Sequence, residues 1–195
     1  MMKSLDEILR MENPSEYLYE YACKNGRLEP KREELLLSLG NPHWLYWYAR
    51  YVIEGRWPEA EEYIKKDPEW AYEYAKYIIK GRWLEAEEYI KKDPKWTYSY
   101  ARYIIKGRWG EAEEYIKKDP EWAYWYARYI IKGRWSEDEE MIMKDPEHAY
   151  LYARDIIEDR WKEAEEYIKN DNRILLEYLN FLNEIGQLPK IKIDE

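Results

Sequence analysis

The chain has 195 residues, 41 of them acidic and 32 basic, and a formal net charge of −9. That balance argues against a general nucleic-acid binder, which needs a basic face. Aromatics make up 17% of the chain, as 22 Tyr, 11 Trp and one Phe. This is ample core material, and its hydroxyls and indole N–H groups need partners wherever they are buried.

Ser4-Leu5-Asp6-Glu7 reads as a capping box opening a short helix over about 5–12, an N-terminal cap in residues 1–12. Asn13-Pro14 starts a degenerate first repeat, 13–40. It carries Tyr17, Tyr19, Tyr21, Ala22 and Gly26-Arg27-Leu28, with a first helix shorter than its successors and a leucine-rich second helix, Lys31 to Leu39, closed by Gly40. Cys23 is the only cysteine, so no internal disulfide can form and a reducing, cytoplasmic compartment is expected. No signal peptide or long apolar run is present, so neither secretion nor a membrane span is expected.

Five repeats of 26 residues follow, over 41–170. Trp57, Trp83, Trp109, Trp135 and Trp161 keep that step, as do Asp67-Pro68, Asp93-Pro94, Asp119-Pro120 and Asp145-Pro146. A fixed period in this range marks a stacked repeat protein. Within one unit, Asp67 is a good N-cap and Pro68 suits the first helical position. Helix A then runs to about Lys80, and Gly81 is expected to end it in the left-handed conformation. Arg82-Trp83 connects to helix B, about 84 to Lys92.

Ala71, Tyr74, Ala75, Ile78 and Ile79 share one face of helix A, with Tyr72, Trp70 and Tyr77 beside it. A helix apolar or aromatic around most of its girth belongs between neighbouring repeats. In helix B only Ala60, Tyr63 and Ile64 line one face, and Glu61–Lys65 and Glu62–Lys66 are spaced as i, i+4 pairs. Helix B is therefore the outer, solvated layer. The fourth copy drifts, with Glu137-Asp138-Glu139-Glu140, Met141, Met143 and His148, and Asp159 replaces the glycine at the end of the next helix A. From Asp171 a last helix, Ile174 to about Ile185, reads as a C-terminal cap (171–195), stopped by Gly186 and followed by a short alternating tail, Leu188 to Glu195.

The expected fold is one all-α domain over 1–195. It is an α-solenoid of short helical hairpins, with tetratricopeptide-like stacking and a capping helix at each end.

Signals of catalysis are poor. His43 and His148 are far apart, and there is no phosphate loop, no His-x-x-x-His and no cysteine pair. The chain reads as non-enzymatic, without cofactor or metal. Glu59 and Glu62 could share an ion, but following lysines make a solvated face the better reading. The arginine of each Gly-Arg-Trp (Arg56, Arg82, Arg108, Arg134, Arg160) reads as structural, stacked on indole or bonded to the helix A carbonyls.

The functional clue is what varies between copies. One position of helix A reads Trp47, Glu73, Ser99, Trp125, Leu151. The next variable one stays basic, as Arg50, Lys76, Arg102, Arg128, Arg154, and its neighbour reads Tyr51, Tyr77, Tyr103, Tyr129, Asp155. Exposed Trp, Tyr and Arg are typical interface anchors. The expected partner surface is Trp47, Arg50, Tyr51, Lys76, Tyr77, Arg102, Tyr103, Trp125, Arg128, Tyr129, Leu151 and Arg154, and the expected partner is a protein. The same ribbon could hold a nucleotide or other planar anion. Residues 136–161 carry nine acids and three bases, which leaves an acidic mimic of nucleic acid as a further reading. A terminal aromatic face could also pair two copies into a homodimer.

The phrase Asp67-Pro-Glu-Trp-Ala-Tyr-Glu-Tyr-Ala-Lys-Tyr-Ile-Ile-Lys-Gly-Arg-Trp83, with the Glu-Ala-Glu-Glu-Tyr-Ile that follows, resembles the short helical repeats of many uncharacterised proteins of tailed bacteriophages and large DNA viruses. The resemblance covers about 41–170. It implies a viral protein made in an infected cell, with a host-interaction or counter-defence role, and brings no catalytic residues.

Overall fold

A computed structural model describes residues 3–188. The end of the expected tail, 189–195, lies outside the described residues. These form two compact units that divide after Ile105. Both are all-α, and no strand occurs among the described residues.

The first unit opens with α1 (Leu5–Leu9), capped by Ser4 and Glu7 in a capping box as expected. Helix α2 (Pro14–Asn25) and α3 (Pro30–Leu39) form the first hairpin. Then come α4 (Pro42–Tyr48), α5 (Pro58–Ile64), α6 (Pro68–Tyr74), α7 (Leu84–Ile90) and α8 (Pro94–Tyr100). The A-type helix α4 packs on α2 and α6 as well as on its own α5, and α6 packs on α4, α7 and α8. The second unit holds α9 (Glu113–Ile116), α10 (Pro120–Tyr126), α11 (Glu139–Ile142), α12 (Pro146–Tyr152), α13 (Glu165–Ile168) and α14 (Asn172–Glu184). There α12 packs on α10, α11, α13 and α14. Helices α4, α6 and α12 are thus each held between two neighbouring helices of the A layer, with their own B helix packed against them, as the residue pattern requires.

The N-caps are as expected. Asp67 accepts from the amides of Glu69 (3.0 Å) and Trp70 (3.2 Å), and Asp171 caps α14 in the same way. The C-terminal end of helix A differs from expectation. The last five residues of each, Ala49–Ile53, Ala75–Ile79, Ala101–Ile105, Ala127–Ile131 and Ala153–Ile157, form a π-turn. The left-handed residue after it is not the glycine but the residue before it: Glu54, Lys80, Lys106, Lys132 and Glu158, with φ of 57° to 62°. The N–H of Gly81 reaches back to the carbonyl of Ala75 at 3.2 Å, which the wide turn makes possible. Gly81 itself lies outside the left-handed region, and a Cβ built on it meets nothing within 4 Å; nothing in the structure explains that glycine. The first repeat has no such turn. Its α2 is α-helical for all 12 residues and so is not shortened, and Gly26 takes the positive φ there.

The B helices also vary. Those opening with Pro58 and Leu84 are continuous. Those opening with Gly110 and Lys162 begin as a 3-10 turn, and the one opening with Ser136 begins as a bare turn. Proline pre-sets the helical φ, and glycine costs about 1 kcal/mol against alanine in a helix. Lysine is a good helix former, so Lys162 has no such account. Tyr63 turns outward and is exposed rather than lining the buried face with Ala60 and Ile64.

A four-residue relay recurs three times in each unit. The backbone N–H of Trp57 donates to the hydroxyl of Tyr74 in the next repeat (2.7 Å), and that hydroxyl donates to Glu61 (3.0 Å). Glu61 in turn takes the two-pronged fork of Arg56 at 2.8 and 2.7 Å. The same set is built by Leu28, Tyr48, Glu33 and Arg27, and by Trp83, Tyr100, Glu87 and Arg82. In the second unit it is built on Trp109/Tyr126/Glu113/Arg108, Trp135/Tyr152/Glu139/Arg134 and Trp161/Tyr178/Glu165/Arg160. The recurring arginine is structural, but it grips a glutamate of helix B instead of an indole face or a helix A carbonyl. That also overturns the Glu61–Lys65 pairing: Lys65 pairs with Glu62 at 2.7 Å.

Burial keeps the tyrosine protons in place, since it pushes the phenol pKa of Tyr74 and its counterparts up. The Arg108 fork holds the Glu113 carboxyl below its usual range. Each tryptophan of the relay is meanwhile buried, with the ring of Tyr48, Tyr74, Tyr126 or Tyr152 about 5 Å from that of Trp57, Trp83, Trp135 or Trp161. At roughly 25 cal/mol per Å² over the ~200 Å² of an indole, each buried tryptophan contributes at most about 5 kcal/mol.

Candidate binding surface on the helix A turns

Nine of the twelve expected surface residues (Arg50, Tyr51, Lys76, Tyr77, Arg102, Tyr103, Arg128, Tyr129 and Arg154) sit in the π-turns. Trp47, Trp125 and Leu151 lie one turn earlier. The wide turn presents two adjacent side chains, a cation and a ring, to the outside.

In the first unit, the rings of Trp47 and Tyr51 stack at 5.1 Å with planes 12° apart. The Arg50 guanidinium lies 3.9 Å above the Tyr77 ring of the next repeat and 5.3 Å from the Tyr51 ring. It donates to the hydroxyl of Tyr46, four residues back. Lys76 repeats the theme, with its ammonium 5.1 Å from the Tyr72 ring, 4.9 Å from Tyr77 and 5.1 Å from Tyr103. Arg102 donates to the hydroxyl of Tyr98. Arg50 and Lys76 therefore bridge a repeat to the next by resting on its tyrosine, 27 positions on. This is a clamp as much as a recognition surface, and a partly exposed cation–π contact of this kind is worth about 0.5–1 kcal/mol.

The tyrosines of the clamp keep one face in solvent: Tyr51 is 50% exposed, Tyr77 40% and Tyr103 49%. Between Tyr51 and Tyr77 opens a cleft of about 350 Å³, lined by Arg50, Glu54, Gly55, Ile78 and Lys80 as well. No carboxylate lies within ion-pair distance of Arg50 among the described residues. The Tyr46 hydroxyl that accepts from Arg50 donates to Glu73 at 3.5 Å. Burial raises the Glu73 pKa against the pull of Lys76 and Arg50. His43 sits edge-on between Trp44 (4.4 Å) and Trp70 (4.6 Å), and burial lowers its pKa.

In the second unit the pattern is closed by the chain itself. Trp125 stacks on Tyr129 at 5.5 Å and 12°, and Tyr129 is 38% exposed. Arg128 donates to the Tyr124 hydroxyl and to Asp155, which replaces the ring of the clamp. The Tyr124 hydroxyl also donates to Asp155, at 2.6 Å. Arg154 forks onto the same carboxylate at 2.6 and 3.0 Å and touches the Tyr150 hydroxyl at 3.3 Å. Although burial opposes it, the Arg154 and Tyr124 bonds hold Asp155 below the ordinary carboxylate range. Leu151 is half-buried where Trp47 and Trp125 stand, so no ring stack forms there.

Sequence reasoning missed the pairing of each cation with the tyrosine four residues before it, Tyr46, Tyr72, Tyr98, Tyr124 and Tyr150. The i, i+4 spacing on one helix face was a signal that could have found it. It also missed that the acids of 136–161 are largely committed. Glu139 is gripped by Arg134, Asp155 by two arginines, Glu147 reaches Arg173, Asp145 caps α12 with His148, and Asp138 is buried.

Among the described residues no group of three or more His, Cys, Asp or Glu side chains could hold a metal ion. None of their helices is long and apolar enough to cross a membrane. Comparison with family models, curated proteins and solved structures gave no match.

Proposed function

We propose that the chain is a non-enzymatic scaffold that binds a protein partner on the tyrosine–cation face of its helix A turns. One observation carries the reading. The Trp57 and Tyr74 positions are packed inward in every copy, yet the tyrosine of the π-turn stays about 40–50% exposed at Tyr51, Tyr77, Tyr103 and Tyr129, in phase along the repeats. Tyrosine offers large contact area at low entropy cost, and here the cation–π clamp already fixes its ring before a partner arrives. The setting in an infected cell, implied by the wording of the repeat, belongs to this proposal. The committed acids of 136–161 speak against an acidic nucleic-acid mimic.

A planar anion such as a nucleotide is the second reading, favoured by the cleft of about 350 Å³ between Tyr51 and Tyr77, at the small end of the range for ligand pockets. Selection of a displayed random-peptide library on the full chain, with counter-selection on Tyr51→Ser/Tyr77→Ser/Tyr103→Ser, tests the first. Peptides that bind the parent and lose at least about tenfold in affinity on the triple variant support it. Peptides indifferent to the three substitutions, together with saturable quenching of tryptophan fluorescence by nucleotides, would move the assignment to the second.

A further inference from the structure

The cation of the π-turn meets three different partners along the chain. Lys76 rests on rings, Arg128 meets a carboxylate, and Arg50 lies in an open cleft. Arg128 and the hydroxyl of Tyr124, four residues apart on one helix, together hold the Asp155 carboxylate. That pair is a carboxylate receptor whose ligand the chain supplies itself. Arg50 and Tyr46 are the same pair at the same spacing, joined by the same donor–acceptor contact. Tyr77 stands where Asp155 does, so the guanidinium is covered on one face by a ring, 3.9 Å away, while its only hydrogen bond among the described residues goes to Tyr46. A guanidinium has five N–H donors in a planar fork, and an aromatic on its face leaves the edge free for a carboxylate.

The cleft around it suits an acidic side chain. Tyr51, Tyr77 and Ile78 give an apolar wall for a short aliphatic stem, Lys80 adds a second cation, and Glu54 is the only acid of the lining. The overall charge opposes an acidic partner less here than in the second unit. Residues 1–105 carry 19 acids and 17 bases, whereas 106–195 carry 22 and 15, so the excess negative charge lies mainly in the second unit.

We infer that the cleft between the π-turns of Ala49–Ile53 and Ala75–Ile79 is the anchor pocket for an aspartate or glutamate side chain of the partner's peptide, received by the free edge of Arg50. The inference rests on the scaffold reading and specifies its partner as an acidic segment. Asp155 fills the corresponding place in the second unit, which leaves one receptor of this type open there only when that aspartate is removed.

The test follows the arginine side-chain Nε–Hε resonances of the full-length chain by NMR, with hexaglutamate, hexaglutamine, inorganic phosphate and AMP as separate probes. The Arg50 signal is assigned from Arg50→Met. Hexaglutamate is expected to shift it saturably, hexaglutamine is not, and Arg50→Met is expected to weaken hexaglutamate binding about tenfold, the effect of one charge-assisted contact. Asp155→Ala should make the Arg128 resonance respond to hexaglutamate as well, without changing the response of Arg50. Folding of each variant is checked by its amide spectrum, and Arg50→Lys, which keeps the charge but not the fork, should fall between parent and Arg50→Met.

A response spread over surface lysines and unchanged by Arg50→Met would overturn the inference. So would a response of Arg50 to AMP or phosphate but not to hexaglutamate, which would make the cleft a phosphate site. Library peptides that need the tyrosines but show no acidic preference and ignore Arg50→Met would sink the anchor while the scaffold stands. Failure of all peptides, hexaglutamate included, would sink both.

Discussion

Two aspartates of the second unit stand at repeat positions that the first unit fills otherwise. Asp155 replaces Tyr77, and Asp138 replaces Ala60 and Ala86. Asp155 is met by Arg128, Arg154 and Tyr124, and its pKa falls. Asp138 is 3% exposed, its Oδ2 has no hydrogen-bond partner among the described residues, and burial pushes its carboxyl up to about 7 against the pull of Lys117. The B helix around Asp138 begins as a bare turn, whereas Pro58–Ile64 and Leu84–Ile90 are continuous and the copies at Ala112 and Ala164 begin as 3-10 turns. The same residue type thus strengthens one position and weakens another. What decides the sign is whether donors converge on the carboxylate at the place where the fold buries it.

The largest expected effect breaks that comparison at Asp138. Its carboxyl titrates near 3.8 when unfolded and about 7 when folded, so the folded chain holds more protons between those values. Stability therefore falls as pH rises from about 4 to about 7, by at most about 4 kcal/mol at 1.36 kcal/mol per unit. Asp138→Ala, which restores the residue of the other copies, should raise stability at pH 8 by up to that amount and change it little at pH 4. Urea unfolding at the two pH values measures it; equal gains at both would show that the buried charge is not the cause.

Next come matched substitutions in the relay that both units share. Tyr74→Phe and Tyr152→Phe each leave a buried tryptophan N–H and a glutamate oxygen without the hydroxyl between them, at a cost of about 1–3 kcal/mol. The two losses should be alike. A clear difference between them in denaturant midpoints would mean that the relay is not equivalent in the two units.

Asp155→Ala should cost about 1 kcal/mol near pH 7, since its arginine partners are partly exposed and solvent screens them. A carboxylate with a lowered folded pKa contributes above its unfolded value of 3.8 and loses that contribution as pH falls through the folded one. The penalty of the variant should accordingly vanish in acid, opposite in sense to Asp138→Ala, and thermal melts from pH 2 to 7 follow both. The smallest effect concerns backbone. Lys80 holds a φ of 59°, and Lys80→Gly should stabilise by roughly 0.5–1 kcal/mol, because glycine adopts that region without a Cβ penalty. Destabilisation in an equilibrium melt would mean that the lysine side chain contributes more than its backbone angle costs.

Sequence alone settled the repeat and its helices, because period, N-cap aspartates, N1 prolines and one-sided apolar faces are local signals that need no knowledge of neighbours. It also placed the cation and tyrosine positions together at the end of helix A, since they vary and recur in phase. Three things were decided by the tertiary structure. The helix A ends became π-turns followed by a left-handed lysine or glutamate, whereas glycine was the residue that local preference favoured. The recurring arginine chose a glutamate that is also bonded by a tyrosine of the next repeat, a choice invisible until the next helix A is packed. Arg50 was left facing a cleft while Arg128 was closed by Asp155, although the two lie in nearly identical stretches of sequence. The physical reason is common to all three: hydrogen bonds and charges are satisfied by whatever the fold brings within about 3 Å, whether six residues back as for Gly81 and Ala75, five on as for Arg56 and Glu61, or a repeat away as for Arg128 and Asp155.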